Sequence, residues 1–229
     1  MDWKSFWNQV AESSQDPNSQ VARIGGHGSN QSGMLDRIVE HISEGLDLQP
    51  SDRLMDVCCG NGALTSRLAK RCDHVVGVDL SNVQIDLANA SASGPNISYA
   101  VGNAATLNSW ESNSFDKISL YFSFQYLDRY ALGFASIESM ARLLKPGGCM
   151  FIGDVPDSTL IRAYYPKRSQ VWKHRIKRAL GKNDMGKFWS EGEIRRICRQ
   201  LGLKYERLIE PQDLPYAHYR VDYRIFKPN

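Results

Sequence analysis

The sequence predicts a doubly wound α/β fold: a seven-stranded, mostly parallel sheet with helices on both faces. Three observations support this fold class. From residue 53 onward, short apolar segments alternate with segments of helical spacing, a glycine-rich turn directly follows the first apolar segment, and only nine residues join the last two predicted strands. Strands separated by helices form right-handed crossovers and a parallel sheet. Nine residues are too few for such a crossover, so the last strand should be antiparallel.

The predicted elements follow one another regularly along the chain. Strands are expected near 53–58, 74–80, 97–101, 116–122, 148–154, 203–209 and 219–227, and helices near 62–71, 82–92, 130–144 and 190–201. Before the first strand, Trp3, Phe6, Trp7 and Val10 recur at helical spacing, which predicts an amphipathic helix. The segment Lys145-Pro146-Gly147-Gly148 predicts a sharp turn into the fifth strand.

Composition describes an ordinary globular protein of 229 residues, with 42% hydrophobic and 23% charged side chains. No apolar run is long enough for a membrane span, and the N-terminus lacks the pattern of a signal peptide. Five cysteines without a Cys-x-x-Cys pair fit reduced thiols in the cytoplasm, where we expect the protein to reside. Because no His or Cys partners stand at ligand spacing, no metal site is expected. The net charge of +3 is too small to argue for nucleic acid.

The turn Asp56-Val57-Cys58-Cys59-Gly60-Asn61-Gly62 lies between the first predicted strand and the first helix of the sheet. A glycine turn at this place lets the backbone approach a nucleotide-like ligand closely. A second apolar strand ends at Asp79, 23 positions after Asp56. This is close to the spacing of ~20 residues that places a carboxylate on a ribose. The turn and Asp79 together predict an adenosine-containing ligand.

Five segments in this order resemble the class I S-adenosylmethionine-dependent methyltransferases. They are Asp56-x-Cys58-x-Gly60-x-Gly62, Asp79, Gly102-Asn103-Ala104, Phe115-Asp116-Lys117-Ile118 and Leu143-Leu144-Lys145-Pro146-Gly147-Gly148. The resemblance implies a Rossmann-like methyltransferase fold, S-adenosylmethionine as cofactor and S-adenosylhomocysteine as product. It also implies that Asp79 holds the ribose hydroxyls and Asn103 the adenine. Cys58 stands where the family has its first glycine, and Asn103 stands where aspartate is usual.

Candidate site residues follow from the resemblance and from position, since ligands of open α/β sheets lie beyond the carboxyl ends of the strands. The expected cofactor-binding residues are Arg23, Asp56, Cys58, Gly60, Gly62, Asp79, Leu80, Asn103, Ala104 and Tyr121. The expected substrate-binding residues are Gln125, Asp154, Tyr216 and Tyr219, and the candidate catalytic residues are His218, His27 and Tyr126. We prefer His218 as the base for a hydroxyl acceptor. The alternatives are that the loop tyrosines only pack together and that His27 is a solvated loop residue.

We expect a single domain with four parts: a helical N-terminal cap (1–50), a cofactor-binding core (51–155), a basic insertion (156–189) and a C-terminal helix with a strand pair (190–229). Within the basic insertion, 162–187 carries nine Lys or Arg and one acid, Asp184. Helical spacing there predicts one apolar face, formed by Val171, Trp172, Ile176, Ala179 and Leu180, with Lys173, His174, Lys177 and Arg178 opposite.

Three interpretations of the basic insertion remain open. It is a solvated helix packed on the core, a lid that attracts a phosphate-bearing substrate, or a surface that docks to anionic membrane or RNA. Peripheral membrane contact would then involve 169–180. The chain shows no separate RNA-recognition module, so nucleic acid is not the expected partner.

The basic insertion and the aromatic loop at 214–220 resemble methyltransferases of glycan and surface-polysaccharide biosynthesis. The expected reaction is O-methylation of a sugar or phosphate-bearing small molecule in glycan or secondary-metabolite biosynthesis. The alternatives are an RNA- or membrane-associated methyltransferase and a nicotinamide-dependent oxidoreductase. A nicotinamide enzyme requires Gly-x-Gly-x-x-Gly, whereas positions 58, 60 and 63 hold Cys, Gly and Ala.

Overall fold

The computed structural model describes residues 2–17, 19–21, 33–182 and 185–229. The helices are α1 (Trp3–Glu12), α2 (Met34–Leu46), α3 (Thr65–Leu68), α4 (Asn82–Ser91), α5 (Tyr130–Leu143), α6 (Ile161–Tyr164), α7 (Arg168–Ala179) and α8 (Glu191–Gln200). The strands are β1 (Arg53–Val57), β2 (His74–Asp79), β3 (Ile97–Val101), β4 (Phe115–Tyr121), β5 (Leu144–Pro156), β6 (Lys204–Ile209) and β7 (Arg220–Phe226). Short 3₁₀ turns lie at Ser19–Val21, Ala69–Arg71 and Phe124–Tyr126.

The seven strands form one sheet in the order β3-β2-β1-β4-β5-β7-β6. The pairs from β3 to β5 are parallel, and β7 runs antiparallel to both β5 and β6. This confirms the predicted doubly wound fold with its antiparallel last strand. The strand order reverses between β1 and β4, and ligands of such sheets bind beside that point.

Apolar side chains cover both faces of the central strands. In β1, Leu54 packs into the cluster beneath α2 with Ile42, whereas Met55 faces the opposite cluster with Ile137 of α5. A strand buried on both faces is apolar at successive positions rather than at alternate ones. This explains why the central strands of the sequence are continuous apolar runs.

The predicted turn at Lys145-Pro146-Gly147-Gly148 is instead the first part of β5. The segment is held as a strand because Gly147 N–H donates to the Lys227 carbonyl at 3.1 Å, and the Gly148 carbonyl accepts from Lys227 N–H at 3.0 Å. Lys145 also pairs with Asp116 at 2.7 Å. The irregularity that the sequence signals appears as a shift of register between β4 and β5, next to Phe115.

The prediction of a single apolar face on α7 is wrong, because its apolar residues lie on two sides of the helix. Val171 and His174 are buried, whereas Trp172, Ile176 and Leu180 are exposed. The inner side is occupied by rings from the flanking chain, since His174 stacks at 5.2 Å from Tyr165. Among the helices that the structure describes, none is long and apolar enough to cross a bilayer.

Candidate functional site

A pocket opens at the carboxyl ends of β1, β2 and β4, where the topology predicts a ligand. The residues around it are Trp3, Trp7, Val21, Val57, Cys58, Cys59, Gly60, Asp79, Leu80, Gln84, Gly102, Asn103, Ala104, Tyr121, Phe122, Ser123, Tyr126, Leu127 and Leu132. Eight of the predicted site residues are among them: Cys58, Gly60, Asp79, Leu80, Asn103, Ala104, Tyr121 and Tyr126. The pocket therefore unites the expected ribose and adenine segments with one candidate catalytic tyrosine.

The glycine-rich turn after β1 has little room for side chains. Gly60 has φ +56°, and a Cβ there would lie 2.8 Å from Val21 Cγ1. Gly62 has φ +75°, and its Cβ would lie 2.5 Å from the Tyr99 hydroxyl. Cys58 also adopts a left-handed backbone, with φ 61°, which costs a residue with a side chain roughly 1–2 kcal/mol. Cysteine therefore stands where the family has glycine, and the backbone at Cys58 keeps the left-handed conformation that glycine favours.

Asp79 connects the glycine turn to the start of α4. Its Oδ2 accepts from Gly60 N–H at 2.9 Å, and its Oδ1 accepts from Ser81 N–H at 2.9 Å. Burial raises the pKa of this carboxyl, and the two backbone hydrogen bonds oppose that rise. A carboxylate fixed in this way at the pocket wall can accept hydrogen bonds from two neighbouring hydroxyls.

The groups that line the pocket are chemically suited to the adenosine part of S-adenosylmethionine. Asp79 offers acceptor oxygens, and the turn at Gly60 offers close backbone approach. Leu80 and Ala104 supply apolar contact for a flat ring. Asn103 is exposed at the pocket, and its amide oxygen already accepts from Ala105 N–H at 2.9 Å. An adenine amino group would share that oxygen as acceptor, and the Asn103 amide N–H groups would donate to a ring nitrogen of the adenine.

Asp56 and Gly62 belong to the turn but lie behind the pocket. The buried Asp56 carboxylate accepts from Thr65 Oγ1 at 2.6 Å and from Ser119 Oγ at 2.8 Å. It thereby connects β1 to α3 and to β4. Asp56 supports the shape of the turn, and its expected contact with the cofactor stays a prediction.

Aromatic rings cover the open side of the pocket. The ring of Tyr126 lies 4.7 Å from that of Trp3 and 5.1 Å from that of Trp7, and we call these three side chains the aromatic roof. Asn8 of α1 accepts from Ser81 Oγ at 2.6 Å, which ties the helix to the start of α4. We did not predict Trp3 and Trp7 as pocket residues, although their helical spacing in the N-terminal cap was the available signal.

A second group of rings, the aromatic rim (Phe122, Tyr216 and Tyr219), lies beside the pocket. The Arg220 guanidinium carbon lies 4.8 Å from the Phe122 ring, 5.0 Å from Tyr219 and 5.4 Å from Tyr216. Arg220 is buried and pairs with the buried Asp154 at 2.9 Å. Phe122, Asp154 and Tyr216 all have positive φ, at 64°, 59° and 70°. Backbone strain of this kind concentrates at functional sites.

Beneath the aromatic rim, polar side chains form a buried network that connects β5, β7 and α2. Asp222 accepts from Asp154 N–H at 2.8 Å, and its other oxygen lies 2.8 Å from His41 Nε2. Tyr121 donates to Glu210 Oε1 at 3.0 Å. Burial, and then the charges of Asp154 and Asp222, raise the pKa of Glu210 well above its ordinary range. This environment favours the protonated, neutral form of the Glu210 carboxyl.

The remaining predicted residues are placed as follows. Gln125 is buried: its side chain donates to the Phe122 carbonyl at 3.0 Å, and its own carbonyl accepts from Lys187 N–H at 2.8 Å. His218 is exposed outside the pocket, with its ring 4.9 Å from that of Tyr219. Its role as a base stays a prediction. Arg23 and His27 lie outside the described residues.

Comparisons with known proteins find methyltransferases. Residues 54–148 match the family described as a methyltransferase domain. A ubiquinone biosynthesis O-methyltransferase of Hahella chejuensis is 27% identical over 178 residues, which cover 72% of this chain and 71% of that protein. A demethylmenaquinone methyltransferase of Staphylococcus aureus is 28% identical over 125 residues, which cover 53% of this chain and half of that protein.

Solved structures share the fold at low sequence identity. The magnesium protoporphyrin IX methyltransferase of Synechocystis, solved with bound S-adenosylhomocysteine, superposes with a TM-score of 0.67, at 16% identity and 98% coverage of both chains. A chain from a complex that contains a methyltransferase activator of Haloferax volcanii superposes with a TM-score of 0.65, at 19% identity, with 86% coverage of this chain and 93% of that chain. The matched segment is the one that builds the pocket around Asp79, so this chain resembles the class I S-adenosylmethionine-dependent methyltransferases in the residues that form the pocket, and the comparisons support S-adenosylmethionine-dependent methyl transfer as its activity.

Proposed function

We propose that the protein methylates a hydroxyl group on a largely apolar, phenol-like acceptor. One observation carries the proposal: the pocket that starts at Asp79 continues directly beneath the aromatic roof. Rings on the open side favour a flat, apolar molecule, because ring stacking contributes about 0.5–1.5 kcal/mol beyond burial of area. The relatives named for ubiquinone biosynthesis and O-methyl transfer support the same class of acceptor.

S-Adenosylmethionine supplies a methyl group that is already activated by its sulfonium. The chain then needs to align the acceptor oxygen, and alignment alone can contribute on the order of 7–11 kcal/mol. Tyr126 belongs to the aromatic roof and to the pocket wall, and we assign it the orientation of the acceptor hydroxyl. His218 and His27 stay our candidates for the base that removes the hydroxyl proton.

A sugar or phosphate-bearing acceptor is the second candidate, and the basic insertion favours it. The C-terminal end of the basic insertion contacts the segment that carries Tyr126, since Lys187 N–H donates to the carbonyl of Gln125 at 2.8 Å. Positive charge at a pocket entrance raises the local concentration of an anionic substrate. On this alternative the KM of the acceptor rises with salt, because screening weakens the attraction.

Turnover with a panel of acceptors tests the proposal. Formation of S-adenosylhomocysteine is measured with catechols and hydroxylated quinols, and separately with nucleotide sugars. Methylated catechol or quinol supports the first candidate, whereas methylation of nucleotide sugars alone refutes it in favour of the second. RNA that binds with steep salt dependence, without methyl transfer to any small molecule, would refute both.

The role of Tyr126 is tested by Tyr126→Phe, which keeps the ring of the aromatic roof and removes the hydroxyl. We expect kcat to fall by about ten-fold or more, with unchanged affinity for S-adenosylhomocysteine. The matched control is Tyr205→Phe, which removes a hydroxyl bonded to Arg195 and Glu191 on the far edge of the sheet. Equal turnover of the two variants would exclude Tyr126 from the reaction.

A further inference from the structure

Helix α7 is attached to the rest of the protein by one side only. Val171 and His174 are buried on that side. The His174 ring lies 5.4 Å from the ring of Phe188, and Phe188 lies 6.2 Å from Tyr219 of the aromatic rim. The inner side is thus packed through aromatic contacts, and it needs no contribution from the outer side.

The outer side of α7 carries large apolar residues that the described protein does not cover. Trp172, Ile176 and Leu180 are exposed by 65%, 50% and 65%. They are four residues apart, so they form one stripe along the helix. Single exposed apolar residues are ordinary, but three successive ones on one helix are a candidate contact surface. We call them the apolar stripe.

Basic side chains border the apolar stripe on both sides. At 100° per residue, Lys173 and Lys177 follow the stripe on one side, and Arg168 and Arg175 precede it on the other. All four are exposed. Residues 162–182 hold eight Lys or Arg and no Asp or Glu. An apolar stripe between two basic borders matches the depth profile of an anionic bilayer, with acyl chains below and negative headgroups at the level of the charges.

We propose that the outer side of α7 docks onto the surface of an anionic lipid bilayer, with the helix in the plane of the interface. The apolar stripe enters the boundary between headgroups and acyl chains, and Trp172 lies at the depth that tryptophan prefers. The bordering lysines and arginines bind the phosphates. The charge favours lipid over a protein partner, because the cores of protein interfaces are depleted of lysine. The docking does not depend on which acceptor the enzyme methylates.

Vesicle co-sedimentation of the full chain tests the proposal. Vesicles of phosphatidylcholine are compared with an equal mixture of phosphatidylcholine and phosphatidylglycerol. The wild-type protein should sediment with the mixed vesicles and should not sediment with vesicles of phosphatidylcholine alone. The variant W172A/I176A/L180A should bind the mixed vesicles at least about ten-fold more weakly, because three buried apolar side chains are lost. Lys173→Gln and Lys177→Gln should each weaken binding roughly five-fold at low salt.

Ile209→Ala is the matched control, since Ile209 is 77% exposed and belongs to β6 rather than to α7. It should bind the mixed vesicles like wild type. All variants should keep the shift in melting temperature that S-adenosylhomocysteine produces, which separates loss of docking from loss of the fold or of cofactor binding.

Three results would overturn the docking. The first is no binding of wild type to the mixed vesicles. The second is binding that W172A/I176A/L180A leaves unchanged, which would mean adsorption by charge alone. The third is a doubled molecular mass in solution that this triple variant abolishes, which would assign the apolar stripe to a second copy of the chain. None of these results bears on methyl transfer itself.

Discussion

Glu210 makes the stability of the protein depend on pH in a way that one substitution removes. The side chain is fully buried, accepts from Tyr121, and has the carboxylates of Asp154 and Asp222 nearby, with Arg220 as the opposing charge. Its pKa lies well above the ordinary value of 4.5. The unfolded chain therefore releases this proton as the pH rises through that ordinary value, while the folded chain retains it.

The sign and the magnitude follow from proton linkage. Above the unfolded pKa the folded state binds one more proton than the unfolded state, so Glu210 lowers the free energy of unfolding by about 1.4 kcal/mol per pH unit. Its contribution is fully favourable below the ordinary value of 4.5 and is lost progressively as the pH rises toward the folded pKa. Between about pH 5 and about pH 7.5 the loss is about 3 kcal/mol.

Glu210→Gln keeps the shape and removes the ionisation. We expect its free energy of unfolding to match wild type near pH 5 and to exceed it by up to about 3 kcal/mol near pH 7.5, as measured by urea unfolding at constant m-value. Glu206→Gln, at an exposed position of the neighbouring strand β6, is the control and should stay within about 0.5 kcal/mol of wild type at every pH. Parallel curves for Glu210→Gln and wild type would show that Glu210 ionises in the folded protein.

Three further substitutions test the site and the core. Asp79→Asn should weaken S-adenosylmethionine binding by roughly 10- to 100-fold in calorimetry, because hydrogen bonds to a charged group are worth about 1.5–3 kcal/mol; unchanged affinity would remove Asp79 from the ribose site. Cys58→Gly should raise the free energy of unfolding by about 1 kcal/mol with cofactor affinity retained, whereas Cys58→Val at φ 61° should lower it. Gly133→Ala should cost about 1–3 kcal/mol, because its Cβ would overlap the Trp189 indole, while Gly192→Ala, with its nearest atom at 4.0 Å, should be neutral or stabilising.

The cofactor half of the site is predictable from sequence because neighbouring segments build it. The glycine turn and Asp79 lie on consecutive strands, and the hydrogen bond from Gly60 to Asp79 spans only 19 positions. The aromatic rim and its network depend instead on the pairing of β5 with β7, which joins Asp154 to Arg220 across 66 positions. Arg220 and Asp222 are charged residues within a mostly apolar strand, which indicates that they have buried polar partners. The neighbouring sequence does not identify those partners.

Helix α7 shows that helical spacing alone does not determine which side of a helix is buried. Its spacing correctly predicts a helix, yet a helical pattern does not state which neighbour packs against it. The rings of Tyr165 and Phe188, from the chain on either side, pack on His174 at the inner side, where Val171 is also buried, and Trp172 stays outside. His174 was assigned to the polar face because histidine is polar on average, whereas its ring is a good aromatic partner.

The left-handed backbone at Phe122 and Tyr216 has a consequence for how this enzyme can diverge. At most positions beside a pocket, replacing a large ring by glycine removes packing and adds chain entropy, so new specificity is accompanied by weaker folding. At these two positions φ lies at 64° and 70°, where glycine relieves a conformational penalty of about 1–2 kcal/mol that offsets part of the loss. Mutational drift can therefore remove the Phe122 ring from the pocket wall, and the Tyr216 ring beside it, at an unusually small cost in thermal stability. Libraries for altered acceptor range are best started at these two positions.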